Sequence, residues 1–331
     1  MADKTPVGEP SVTGKILIVD DESAARTALE MLLRREGFEV RDASSGETAL
    51  VECASFRPDL ILLDIMMPGL SGFEVCRRIK ATPETRLTPV VLITGLSEPI
   101  DRIAGINAGA DDFLSKPIDM NELLARARSL LRIKQYTDEL ESAEVVLESL
   151  ALSIEARDPY TRGHCDRLAE MSVGLGRRLG MSPEELKALR QGGSVHDIGK
   201  VVIPDAILLK PGPLTSAEMA VIRKHPEAGE RICAPLKTFR LVLPIIRHHH
   251  EKFDGSGYPD GLRGEDIPLT ARILQLADVY DALTTERVYR KAAPPEEGLK
   301  IMDREASQGW WDRSLFNEFR AMIRMRQEMA V

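Results

Sequence analysis

The chain has 331 residues, 43% of them apolar and 29% charged, with a formal net charge of −8 at pH 7. That length suits about two domains of ~100–200 residues each, and the composition is that of a globular chain able to bury its cores without disulfides. The acidic balance argues against a broad basic surface, and so against DNA binding and anionic lipid, while leaving room for a local basic pocket that takes a nucleotide.

Residues 1–14 are polar, carry two prolines and lack an apolar stretch, which predicts a disordered N-terminus and not a signal peptide. No uninterrupted run of about 18 apolar residues occurs, so membrane insertion is not expected. Cys53, Cys76, Cys165 and Cys233 are far apart and form no C-x-x-C pair, which reads as reduced, mostly buried thiols in a cytoplasmic protein.

From residue 15 to 133 strand-like and helix-like segments alternate. Lys15-Ile16-Leu17-Ile18-Val19 is a short β-branched run ending in Asp20-Asp21. An amphipathic helix follows over 23–36, closed by Gly37, and a second strand begins at Phe38-Glu39-Val40. Residues 46–54 read as a helix. Residues 60–63 form a third strand ending on Asp64, residues 90–93 a fourth ending on Thr94, and Phe113-Leu114 a fifth followed by Lys116-Pro117. Continuous apolar strands are buried on both faces, and their alternation with helices implies a doubly wound parallel five-stranded sheet. Residues 119–157 read as one helix, with Asp119 as N-cap and Glu122 completing a capping box. Its intermittent stripe of Leu130, Leu131, Tyr136, Leu140, Leu147 and Leu150 fits either a plain linker or a signalling helix that pairs with a second copy as a homodimer. From 158 to 331 the pattern is mainly helical, with loops at 204–213 and 254–268.

Asp20, Asp21, Asp64, Thr94 and Lys116 all stand at C-terminal ends of predicted strands, the edge where open α/β sheets bind ligands. Any one aspartate there could simply cap the next helix. Together they form an acidic pocket with one lysine, suited to a hard cation such as Mg²⁺ and to an aspartate that attacks phosphorus. Through Val19-Asp20-Asp21-Glu22, Leu62-Leu63-Asp64-Ile65-Met66-Met67-Pro68-Gly69 and Ser115-Lys116-Pro117, residues 15–133 resemble the receiver domain of bacterial response regulators. The resemblance implies a flavodoxin-like fold and a sensor histidine kinase as phosphodonor. It implies Asp64 as phosphoacceptor, Asp20, Asp21 and Asp64 as Mg²⁺ ligands, and Thr94, Phe113 and Lys116 as the switch residues.

The six histidines, His164, His196, His225, His248, His249 and His250, all lie in the second half, three of them in the doublets His196-Asp197 and His249-His250. Imidazole and carboxylate suit Fe, Mn or Zn. A lone histidine is usually a surface or hydrogen-bonded core residue, and a structural zinc site usually needs thiolates. The excess of donors here suggests two metals, with Asp197 bridging, as in phosphoester cleavage. His196-Asp197-Ile198-Gly199-Lys200 and Gly257-Tyr258-Pro259 carry a resemblance to the HD-GYP domain, a branch of the HD phosphohydrolases. His164 in the segment 157–164, His225-Pro226 and the Asp278–Asp281 stretch support it. The whole chain is similar to response regulators of the RpfG type.

That resemblance implies a helical HD-type metallohydrolase domain over 151–331, after a helical linker at 134–150. It also implies hydrolysis of cyclic di-GMP to pGpG, with GMP, which some members of the family give, as the alternative end product. The implied metal ligands are His164, His196, Asp197, His225, His249, His250 and Asp278, with His248 a neighbour. His196, Asp197 and Lys200 are the implied catalytic residues, and Lys200, Arg287 and Arg290 the implied phosphate contacts. Tyr160 stands where relatives that bind a third metal carry Glu, so two divalent ions, Fe or Mn, are expected. The Gly257-Tyr258-Pro259 loop fits a substrate-side element, a docking surface for diguanylate cyclase (GGDEF) proteins, or a plain Gly-rich turn. Two alternatives to the hydrolase stay open: a binding module for the dinucleotide that signals through partners, and an enzyme for another phosphoester.

Overall fold

The computed structural model describes residues 13–95, 99–155, 163–286 and 292–329. It divides into two compact units, residues 1–142 and 143–331.

The first unit is built on five strands: β1 (Lys15–Val19), β2 (Glu39–Ala43), β3 (Leu60–Asp64), β4 (Val90–Thr94) and β5 (Asp112–Ser115). All pair in parallel in the order β2-β1-β3-β4-β5. Helices α1 (Ser23–Arg35), α2 (Gly46–Phe56), α3 (Gly72–Ala81) and α4 (Pro99–Asn107) connect them. The central strands β1, β3 and β4 are almost wholly apolar because both faces are covered, whereas the edge strands β2 and β5 carry exposed polar residues. Leu17, Val19, Ile61 and Leu63 belong to one core, while Ile16, Ile18, Leu60 and Leu62 belong to the other. The order reverses at β1, which pairs with both β2 and β3, and a crevice opens at the carboxyl ends there. The predicted strands are all present; α3 and α4 had been legible only as part of the alternation.

Helix α5 runs unbroken over Met120–Glu155. Asp119 caps it, accepting from the backbone N–H of Asn121 and Glu122. The Glu122 side chain does not reach back to complete a box; it pairs with Arg126 one turn on. Leu123, Ala127 and Leu131 are buried in the first unit's core, and Ala151 and Ile154 in the second unit's. Between them Ile133, Tyr136, Leu140, Val145 and Val146 are exposed.

The second unit is helical: α6 (His164–Arg178), α7 (Pro183–Val195), α8 (Asp205–Leu208), α9 (Ser216–Ile222), α10 (His225–Cys233), α11 (Leu243–His248), α12 (Leu269–Thr284), α13 (Pro295–Ser307) and α14 (Arg313–Met329), with a 3-10 turn at Ile198–Val202. Ser182 and Glu185 form a complete capping box at the start of α7. Leu168, Leu189, Ile245, Ile273, Phe316 and Phe319 lie in one continuous core. Trp310-Trp311-Asp312 is packed: the carbonyl of Trp310 accepts from Phe253 N–H, and Asp312 pairs with Arg272 at 2.7 Å. All four cysteines are buried and unpaired. Among the described residues, no helix is long and apolar enough to cross a membrane.

Candidate functional site

In the first unit the strand ends converge as expected. One oxygen from each of Asp20, Asp21 and Asp64 lies within 4.8 Å of the others. Lys116 reaches over from the end of β5, its Nζ 2.9 Å from Asp64 Oδ2 and 3.2 Å from Asp20 Oδ2. Burial alone would pull the Lys116 ammonium down, but the hydrogen bonds it donates to Asp64 and Asp20 hold it above its ordinary value. Asp64 is 3% exposed, and Thr94 is buried on the next strand. Phe113 lies against α4: a Cβ on Gly105 would meet its ring at 2.5 Å.

The second unit gathers a larger cluster, six of its seven members at helix ends and one within a helix. His164 opens α6, His196 and Asp197 follow α7, His225 opens α10, His249 and His250 follow α11, and Asp278 lies within α12. Two donor groups result, each with its atoms within 4.8 Å: Asp197, His225, His249 and His250 in one, and His164, His196 and Asp278 in the other. All seven predicted ligands are brought together. Asp197 faces both groups. Its Oδ1 is 3.1 Å from His225 Nε2 and 3.9 Å from His249 Nε2, while its Oδ2 is 3.4 Å from His196 Nε2.

The hydrogen bonds behind the rings fix which nitrogen points inward. The Nδ1–H of His196 donates to Gly193 O, that of His225 to Ile222 O, and that of His249 to Ile246 O. A carbonyl can only accept, so Nε2 is the bare nitrogen in each. The Nε2 atoms of His225 and His249 then face each other, lone pair to lone pair, at 3.3 Å. His196 Nε2 and Asp197 Oδ1 are buried with no hydrogen-bond partner. Such orphaned acceptors are costly unless something positive sits among them. Burial, then the neighbouring imidazoles, holds His249 well below the usual imidazole range and His250 at about 4. For Asp197, burial is outweighed by Lys200 and His196, which hold its carboxyl well below the usual range. Burial likewise pulls His196 down, but Asp197 leaves it raised. Imidazoles whose Nε2 faces the cluster, a carboxylate held well below its usual range and no thiolate fit divalent metal binding.

Lys200, one turn beyond the doublet, donates to Asp197 Oδ2. The Gly257-Tyr258-Pro259 loop folds back onto the cluster: the Tyr258 ring stacks on His250 at 4.8 Å, and the Arg223 guanidinium lies 5.1 Å from the ring on Tyr258. Gly257 is required by close approach, since a Cβ there would meet Lys252 N at 2.2 Å. His248 stands apart from the metal cluster, 3.4 Å from Asp260. Arg287, Arg290 and Tyr160 lie outside the described residues, as does the segment 157–162.

Sequence reasoning missed two supporting carboxylates. Asp281 accepts from His164 Nδ1 at 2.7 Å. Glu251, fully buried, accepts from the backbone N–H of Asp260, Gly261 and Leu262 at 2.7–3.1 Å and so ties down the loop. Its place right after the histidine doublet was visible, but its three N–H donors lie 9, 10 and 11 residues further along the chain. Glu251→Ala is expected to lower stability by about 3 kcal/mol, since three N–H groups lose a charged acceptor. A thermal-unfolding shift within error of wild type would contradict that role.

Comparison with known families and proteins agrees with this layout. A family model described as "Response regulator receiver domain" matches residues 16–128, and one described as "HD domain" matches 145–315. The chain is 39% identical over 310 residues to "Cyclic di-GMP phosphodiesterase response regulator RpfG" of Xanthomonas campestris pv. campestris, covering 87% of this chain and 82% of that one. It is 38% identical over 324 residues to "Probable cyclic di-GMP phosphodiesterase" of Vibrio cholerae serotype O1, covering 87% and 73%. It is 34% identical over 316 residues to "Cyclic di-GMP phosphodiesterase" of Thermotoga maritima, covering 87% and 85%.

Proposed function

Because the chain belongs to the response regulators that join a receiver domain to an HD domain, we propose that it hydrolyses cyclic di-GMP under the control of phosphorylation at Asp64. The observation that carries the catalytic half is Asp197, whose two oxygens face two separate sets of histidine nitrogens. The proposal assigns one divalent ion to Asp197, His225, His249 and His250, and a second to His164, His196, Asp197 and Asp278. The imidazole–carboxylate donor set favours Fe or Mn. When bound, such ions neutralise charge on phosphoryl oxygens and activate water.

The chain's own residues do the rest. Water adds to phosphorus, one P–O bond of the ring breaks, and the departing ribose oxygen takes up a proton, giving pGpG. Lys200, beside Asp197, is suited to hold the phosphate oxygens and to supply that proton. Arg287 and Arg290 stay in the proposal on the sequence alone, as further phosphate contacts, and GMP stays as a further product. Tyr258, stacked on His250, presents the loop at the mouth of the site. The binding-module reading is the weaker one, because mere ligand binding does not call for so complete a donor set. The test is turnover of cyclic di-GMP by anaerobically purified full-length protein, with metal analysis of the same sample. Metal-loaded protein that binds the dinucleotide and yields no linear product would refute the enzyme.

For the receiver, Asp20, Asp21 and Asp64 are proposed to hold Mg²⁺ while a cognate sensor histidine kinase phosphorylates Asp64. Thr94, Phe113 and Lys116 then read the phosphoryl group. The domain partition carried with this is receiver 15–133, linker 134–150 and hydrolase 151–331; it is supported by the change of buried α5 residues from Leu131 to Ala151. The exposed Tyr136 and Leu140 suit pairing of α5 with a second copy. A cytoplasmic location and contact of the Gly257-Tyr258-Pro259 loop with diguanylate cyclase proteins complete the proposal. At its far end α5 meets the metal cluster directly: the Glu155 carboxylate accepts from the backbone N–H of His164 at 3.1 Å and of Cys165 at 3.4 Å. A shift of α5 would therefore be felt at a ligand. Asp64→Ala is expected to take up no phosphoryl group from acetyl phosphate, read by intact mass, and to lose any response of turnover to the phosphodonor. Phosphorylation of that variant to the wild-type extent would place the acceptor elsewhere.

A further inference from the structure

Three of the cluster's imidazoles are oriented from within their own helical turn. His196, His225 and His249 each donate Nδ1–H to the carbonyl three residues earlier. His164 is held differently. It opens α6, and its Nδ1 is 2.7 Å from Oδ2 of Asp281, on α12 and 117 residues away. Asp281 is 3% exposed. Arg167 clamps that carboxylate, with Nε 2.5 Å from Oδ1 and Nη2 3.0 Å from Oδ2. The spacing is paired: His164 and Arg167 are three apart on α6, and Asp278 and Asp281 are three apart on α12, so each pair shares one helix face. Asp278 thus meets the front of the His164 ring, with its Oδ1 3.5 Å from Nε2, while Asp281 holds the back.

We propose that Asp281, locked by Arg167, is a positioning residue for the half of the centre formed by His164, His196 and Asp278. This rests on the metal-centre reading above. Its consequence is that the two halves are unequal. The half containing His225 and His249 takes its ring orientation from local helix geometry, so it survives changes elsewhere. The half containing His164 depends on a charged contact between two helices and can be lost by itself. Partners of this kind typically change metal affinity by ~10–100-fold.

The test is anaerobic Mn²⁺ titration of the full chain, with bound metal counted and the spin coupling between ions followed by electron paramagnetic resonance. Wild type should bind two equivalents at the second unit and give an exchange-coupled signal. Asp281→Ala should keep one equivalent at wild-type affinity, bind the other about 10–100-fold more weakly, and give an uncoupled signal at low loading. Asp281→Asn, whose amide oxygen still accepts from Nδ1–H, should recover part of the loss. If Asp281→Ala does not fold by circular dichroism, Arg167→Met carries the same test, because it frees the carboxylate while leaving it present. Two equivalents at wild-type affinity in the folded variant overturn the inference, and so does equal weakening of both. Failure of wild type to bind a second equivalent overturns the two-metal reading instead.

Discussion

Asp197→Asn is expected to cut cyclic di-GMP turnover by on the order of 10³-fold or more, equivalent to about 4 kcal/mol of transition-state stabilisation. The substitution is nearly isosteric, so packing around the buried doublet is kept. What changes is charge and symmetry. A carboxylate offers two equivalent anionic oxygens, and here one faces His225 and His249 while the other faces His196. An amide offers one neutral oxygen and turns an NH₂ toward the remaining set. It cannot serve both donor groups, and it removes the negative charge that Lys200 and His196 stabilise in its ionised form. Bound metal should fall together with turnover, while the circular dichroism spectrum stays that of wild type. Turnover near the wild-type rate in a folded, metal-analysed Asp197→Asn protein would remove this carboxylate from the machinery.

How much of this was legible in the sequence depended on whether the controlling contacts were local. The receiver was almost wholly legible. Four of the five strands, β1, β3, β4 and β5, end on a chemistry-bearing residue, and a parallel sheet must bring those ends to one edge, so the sequence alone places Asp20, Asp64 and Lys116 in one pocket. Of the seven donors of the second unit, His196, Asp197, His249 and His250 stood out as doublets, while His164, His225 and Asp278 were named as ligands only through the resemblance to the HD-GYP domain. What could not be read were the groups behind them. Asp281 lies in a helical stretch with ordinary spacing, and its partner is 117 residues away. Glu251 looks like any charged residue after a histidine pair until its carboxylate is seen collecting three loop N–H groups. The Asp119 cap was legible from the N-cap rule, whereas its expected partner Glu122 went to Arg126, a choice between two local contacts of similar strength.

Gly199 shows a motif residue whose reason is packing, and Gly199→Ala is expected to be the most damaging single methyl in the second unit. A Cβ there would lie 1.9 Å from the carbonyl oxygen of His225 and 2.5 Å from the backbone N of Gly229. Both are main-chain atoms of α10, so no rotamer change relieves the clash, and the 3-10 turn and α10 must move apart. Gly229 is itself a close neighbour, with its own Cβ position 3.3 Å from Gly199 N. Two glycines facing each other let the backbone carrying His196 and Asp197 approach the backbone carrying His225 closely enough for their side chains to meet at 3.1 Å. Overpacking of this kind costs typically ~1–3 kcal/mol, and a backbone clash belongs at the upper end or beyond. For a unit of this size that corresponds to a fall of roughly 10 °C in Tm. The displacement also opens the His225–Asp197 distance, so metal affinity and turnover should drop further than the stability loss explains. Measuring turnover well below the variant's Tm separates the two effects. A Gly199→Ala protein with wild-type Tm and wild-type metal content would mean that the two backbones do not approach as closely as 1.9 Å to a Cβ requires, and that the glycine of the His196–Lys200 motif has some other cause.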